Sequence, residues 1–163
     1  MKMNLGCGPD IKDGWVNVDI VSAIGIEYWN VVENVVPENW KGKFDYILVN
    51  HVFTTLTYEE VSLALIKLYD CMKEGGVIEV IEMNPLKSFR SYEQGDINAF
   101  PGFTGSIDNR FTRHLVGFGR KSLWTPDSMC DVLVNAGFNN ALDYYQSEHD
   151  LRPKESLVVK AIK

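Results

Sequence analysis

The sequence predicts an α/β protein, a doubly wound and mostly parallel sheet that closes with an antiparallel hairpin. Three observations carry this. Short apolar runs alternate with helical spacings along the chain. The run Tyr46-Ile47-Leu48-Val49 is apolar on both faces, as a central parallel strand requires. Near the end, 140 to 146 and 157 to 162 suit two strands pairing antiparallel.

In order, Met1 to Leu5 reads as the first strand and Trp15 to Asp19 as the second. Between them, Gly8 to Gly14 holds Pro9, Asp10, Lys12 and Asp13, which is turn chemistry, so the first helix is reduced and one sheet face is thinly covered. Residues 20 to 43 carry little pattern, with Ile26 to Val32 suiting a third strand and Pro37 to Gly42 a turn. Phe44 to Asn50 is the fourth strand. Thr57-Tyr58-Glu59-Glu60 forms a capping box, and Val61, Leu65, Leu68 and Met72 continue at helical spacing until Gly75-Gly76. Val77 to Met83 is the fifth strand.

From Asn84 to Ser122 no clean period appears, and so long a stretch in a compact domain is either functional or disordered. Phe89, Tyr92, Phe100, Phe103, Phe111 and Phe118 make it too apolar for disorder. It reads as a lid or acceptor-binding insertion, 84–122, in a single domain over 1–163. Thr125 then caps a helix with Pro126 at its first position and Gly137 at its stop.

The chemistry concentrates at the ends of the first two strands. The first ends in Gly6-Cys7-Gly8, a turn for a backbone that passes close to a ligand, and the second in Asp19. Ligands of open α/β sheets sit outside the strands' carboxyl ends, and a carboxylate there holds ribose hydroxyls, so the pair reads as a nucleoside pocket. A dinucleotide fingerprint needs a third glycine where Ile11 stands, and leaves about twenty residues before its acid. Here Asp19 follows Gly8 by eleven. No Gly-Lys-Ser/Thr follows either, which argues against a phosphate-binding loop.

These residues resemble a family. NLGCG (4 to 8), a short link ending in Gly14-Trp15 and VNVDI (16 to 20) are similar to class I S-adenosylmethionine-dependent methyltransferases, specifically the compact bacterial and phage group whose first helix is cut to a turn. FDYILVNHV (44 to 52), MKEGGVIEVIEMNP (72 to 85), NAGF (135 to 138) and LRPKESLVVKAIK (151 to 163) extend the resemblance over most of the chain, with 84 to 121 the poorest match.

The resemblance implies a Rossmann-like seven-stranded sheet ordered 3-2-1-4-5-7-6, with S-adenosylmethionine as cofactor and a small molecule as methyl acceptor. Leu5, Gly6, Cys7 and Gly8 would approach the donor's methionine portion, and Asp19 its ribose. Asn50 and His51 would lie beside the transferred methyl, with His51 as candidate base. Arg110, Arg113 and His114 are the candidates for an anionic acceptor such as a sugar nucleotide, a phosphate or a carboxylate. The segment Val52-Phe53-Thr54-Thr55-Leu56 departs from the Val-Leu-Glu-His-Leu common in relatives, which favours a competing reading as a non-catalytic binding module. A nicotinamide oxidoreductase is the third reading, disfavoured by Ile11 and the short spacing to Asp19.

Composition bounds the partners. At 163 residues the chain is long enough to bury roughly 70% of its unfolded surface. A formal charge of -6 argues against nucleic acid, whose phosphates demand excess Lys and Arg. Six cations against three acids between Lys87 and Lys121 nevertheless make a basic flap on an acidic body. Three widely spaced cysteines without Cys-x-x-Cys, and no clustered histidines, argue against a disulfide framework or a metal site, and the default is a reducing cytoplasm. Neither an export signal nor a membrane span is expected. The thin cover after Gly8 leaves room for a homodimer.

Overall fold

In the computed structural model, which describes residues 1–144, 146–150 and 155–163, the apolar runs assemble into one seven-stranded sheet. Its strands are β1 (Lys2–Leu5), β2 (Val16–Asp19), β3 (Glu27–Tyr28), β4 (Phe44–Asn50), β5 (Met72–Met83), β6 (Asn139–Tyr144) and β7 (Ser156–Ile162). They lie in the expected order, β3-β2-β1-β4-β5-β7-β6. β3 to β5 are parallel, and β7 runs antiparallel between β5 and β6. The chain order reverses between β1 and β4, so the carboxyl ends of those strands flank the crevice where such sheets bind ligands.

Among the described residues four α-helices accompany the sheet: α1 (Tyr58–Cys71), α2 (Pro85–Glu93), α3 (Ile107–Val116) and α4 (Pro126–Asn135). Val61, Ala64, Leu65 and Leu68 of α1 and Met129 and Leu133 of α4 join one core with Met3, Ile47, Val49, Ile78 and Val80 of the strands. A second, small cluster consists of Leu48, Ile81 and Val158, with Trp15 and Tyr46 packed against it.

The missing first helix is replaced by side-chain hydrogen bonds. Buried Asn4 donates to Asp10 O (2.7 Å) and to Asn17 Oδ1 (3.1 Å). Asn17 also accepts from Lys12 N–H (2.9 Å) and donates to Lys12 O (3.0 Å). The Gly8–Gly14 link is thus fastened to β1 and β2 by two amides that satisfy each other and the loop.

Several sequence expectations are corrected. The helix expected to run to Gly75-Gly76 ends at Cys71, and β5 begins at Met72. Gly75 (φ +74°) and Gly76 instead form a bulge, across which the pairing moves from Phe44↔Met72 to Tyr46↔Val77. The third strand is two residues long, not Ile26 to Val32. The stretch without a period, 84–122, contains α2 and α3. Each buries so narrow a stripe, Pro85 and Ser88 in one and His114 in the other, that no hydrophobic repeat betrays it. Of the expected closing strands, Gln146 lies past the end of β6 and Tyr145 lies outside the described residues, as do Leu151 to Lys154 of the matched terminal segment. Among the described residues no helix is long and apolar enough to cross a membrane.

Asn17→Ala should destabilise the protein by about 1–3 kcal/mol in urea denaturation, because it strands the buried Asn4 amide and the Lys12 backbone together.

Candidate functional site

Gly6 N–H and Cys7 N–H both donate to Val18 O (2.8 and 3.1 Å), folding the β1 turn onto the end of β2. Gly6 has φ +66°, and a Cβ there would stand 2.1 Å from Val52 Cγ2, so a larger residue is strained and must displace Val52. Gly8 N–H donates to Asp19 Oδ2 (2.9 Å), while Val21 N–H donates to Asp19 Oδ1 (3.0 Å). Each oxygen retains capacity for a second donor. Nothing lies within 4 Å of the position a Cβ on Gly8 would take.

Above this turn opens a cleft of about 470 Å³. Leu5, Gly6, Asp19 and His51 line it, together with Trp29 to Glu33, where a third strand to Val32 was expected. Glu60 and Lys121, 3.4 Å apart, close another side. The structure thus brings Leu5, Gly6, Asp19 and His51 together, with Gly8 tied to Asp19. Cys7 is buried, and burial, with Asp19 nearby, pushes its thiol pKa up. Asn50 donates to His149 O (3.4 Å), and its buried Oδ1 has no hydrogen-bond partner among the described residues.

His51 follows β4 in the left-handed region (φ +56°), held by its N–H to Ile81 O (2.8 Å). Its Nδ1 lies 3.9 Å from Glu82 Oε2. Glu82 is fully buried and accepts from Phe53 N–H (2.5 Å) and Thr54 Oγ1 (2.9 Å). Burial pushes its carboxyl pKa up to about 7, against the pull of these hydrogen bonds and of Arg120. A smaller hollow of about 180 Å³ adjoins His51 and Thr55, lined also by Thr54, Phe118 and Arg120.

The three expected acceptor ligands sit elsewhere, and none lines the cleft or the hollow. Arg110 Nε donates to Gly105 O (3.1 Å), Arg113 lies over the Phe103 ring, and His114 is buried beside Phe100 and Phe103. Those contacts lie within 84–122, whose last residues, Phe118, Arg120 and Lys121, line the hollow or the cleft. Sequence reasoning missed Glu82, Thr54, Phe118 and Arg120. An acid in the otherwise apolar end of a parallel strand was a usable signal for Glu82.

No protein-family model and no curated protein sequence matches the chain. Solved structures do. An S-adenosylmethionine-dependent methyltransferase from Mesorhizobium loti aligns over 99% of this chain and 90% of its own, with TM-score 0.61 and 14% identity. One from Archaeoglobus fulgidus aligns over 99% and 85%, with TM-score 0.65 and 13% identity. PigF, solved with SAH, aligns over 99% and 55%, with TM-score 0.62 and 14% identity. The chain has the S-adenosylmethionine-dependent methyltransferase fold. In that methyltransferase fold the cleft occupies the crevice between β1 and β4, and the hollow lies next to it on the Thr54 side.

Gly6→Ala should cost about 2–4 kcal/mol in denaturant unfolding, from left-handed strain plus the Val52 clash, and Val52→Ala in the same chain should recover part of it. The folded Glu82 holds its proton to about pH 7, whereas unfolded it releases it near 4.5. Its contribution to stability is therefore full below pH 4.5 and is lost as pH rises through 7. Relative to Glu82→Gln, the wild type should lose stability across that window and level off above it, as followed by melts at stepped pH.

Proposed function

We propose that this protein transfers a methyl group from S-adenosylmethionine to a small anionic acceptor. The observation that carries the reading is the Gly6-Cys7-Gly8 turn bound to Val18 O and Asp19 at the foot of a cleft of about 470 Å³. A cleft of that size falls in the small-molecule range. Backbone without side chains at Gly6 and Gly8, and a carboxylate with acceptor capacity left, fit a nucleoside joined to an amino-acid tail. Leu5, Gly6, Cys7 and Gly8 would hold the tail, Asp19 the ribose hydroxyls, and Asn50 and His51 the end nearest the reaction.

When bound, the donor supplies a methyl already attached to a good leaving group. The protein's task is then mainly position, which is worth about 7–11 kcal/mol. His51 serves as general base at the junction of cleft and hollow, typically a hundred- to ten-thousandfold effect. The 84–122 segment acts as the acceptor-binding insertion, and its Arg120 supplies the positive charge that an anionic acceptor needs.

Calorimetric titration with S-adenosylmethionine, S-adenosylhomocysteine and NAD tests the donor pocket. The first two should bind, and Asp19→Ala should weaken them about ten- to a hundredfold, the value of a charge-assisted hydrogen bond of roughly 1.5–3 kcal/mol. Binding of NAD alone, or equal affinity in the variant, overturns the reading.

A further inference from the structure

Among the described residues, three non-glycine residues adopt left-handed backbone, and two of them, His51 (φ +56°) and Phe118 (φ +59°), line the same hollow. Such conformations cost free energy and persist where the surroundings impose them, which is characteristic of working sites. Both are imposed here. His51 is fixed by its N–H to Ile81 O. Phe118 is 63% exposed, yet its ring is flanked by Phe103 (5.2 Å between centroids) and by the Arg120 guanidinium (5.4 Å). Arg120 is itself tied to the carbonyls of His114 and Gly117. Lys121 N–H and Ser122 N–H then donate to Thr54 O (2.7 and 3.2 Å), and Ser122 Oγ to Phe53 O (3.0 Å). A cation and an aromatic face are thus held beside His51.

The hollow, about 180 Å³, is smaller than the roughly 300–1,000 Å³ of sites for drug-sized ligands. Beneath it, fully buried Glu82 spends hydrogen bonds on Thr54 Oγ1 and Phe53 N–H and lies 3.9 Å from His51 Nδ1. That is ion-pair range for an imidazole that gains a proton. The charged side chains facing Glu82 are His51, from the link between β4 and α1, and Arg120, from the segment before α4.

We propose that this hollow seats the methyl acceptor, a small planar acid bearing a hydroxyl: Arg120 takes its carboxylate, Phe118 its ring, and His51, positioned by Glu82, its hydroxyl proton. The proposal rests on the methyl-transfer reading. The acceptor's O–H bond breaks with its proton passing to His51 Nε2, and the oxygen's pair forms the bond to the donor methyl. The methyl–sulfur bond breaks with its pair remaining on sulfur, and His51 later returns the proton to water. Glu82 is a positioning residue that lies in ion-pair range of the ring and balances the imidazolium when it is itself ionised. This places acceptor recognition on Arg120 and Phe118, away from Arg110, Arg113 and His114.

The test uses 4-hydroxybenzoate and uncharged 4-methylphenol, titrated by NMR into the whole protein with and without S-adenosylhomocysteine. The acid should bind, and Arg120→Met should weaken it at least tenfold while changing 4-methylphenol less than twofold. No binding of the acid, or equal weakening of both probes, overturns the acceptor seat. Absence of S-adenosylhomocysteine binding, read separately, overturns the donor pocket instead. For Glu82, the His51 imidazole midpoint, assigned with His51→Asn, should move in Glu82→Gln. An unchanged midpoint rejects the positioning role. Should that variant not fold, Glu82→Asp, which shortens the carboxyl, serves in its place, and an unmoved midpoint there rejects the role equally.

Discussion

One carbonyl, that of Val18, receives the N–H groups of both Gly6 and Cys7, and one carboxylate, that of Asp19, receives the N–H of Gly8. Three consecutive amides of the first turn are thereby committed to the last two residues of β2. The turn cannot drift without breaking the sheet edge, and the sheet edge cannot fray without releasing the turn. This mutual restraint fixes the floor of the cleft in a chain that has no first helix to brace it. Val52 adds the opposing wall, since its side chain occupies the volume that any side chain at residue 6 would need.

The bracing usually supplied by a helix has been moved into polar side chains. Asn4 and Asn17 lie almost wholly out of water and hold the short link through their amide groups. Nearby, Tyr46 Oη donates to Glu79 Oε2, and Lys160 lies 3.6 Å from the same oxygen. Trp15 meets both Tyr46 and His149 edge to face. Bonds of this kind demand directional fit, whereas the α1 and α4 side of the sheet is held by non-directional apolar packing. The two sides of one sheet are thus stabilised by different physics.

Much of this was legible in the sequence because local chemistry dictated it. Thr57 and Glu60 form the capping box they spell, Thr125 and Pro126 open α4, and the apolar run of β4 is central. The Gly6 turn and Asp19 meet because two strand ends in one sheet must. What escaped notice depends on long-range placement. Phe118 and Arg120 lie more than sixty residues from Thr54 and meet it only through the insertion's exit. His114 read as a ligand for an anionic acceptor, yet it is the one buried residue of α3, a role that its polarity concealed. Glu82 was passed over inside an apolar strand, whereas it is the carboxylate around which Phe53 and Thr54 are arranged.

The direct passage from α1 into β5 has its own consequence. Cys71 ends the helix and Met72 begins the strand with no linker, and the Gly75 bulge then takes up the surplus chain before pairing resumes at Val77. The register irregularity is confined to the two glycines, at the end of the strand remote from Ile81 and Glu82, where Lys163 pairs with both. The end of α1 and the site end of β5 are thus separated by an irregular register, whereas the first turn of α1 touches the cleft directly through Glu60.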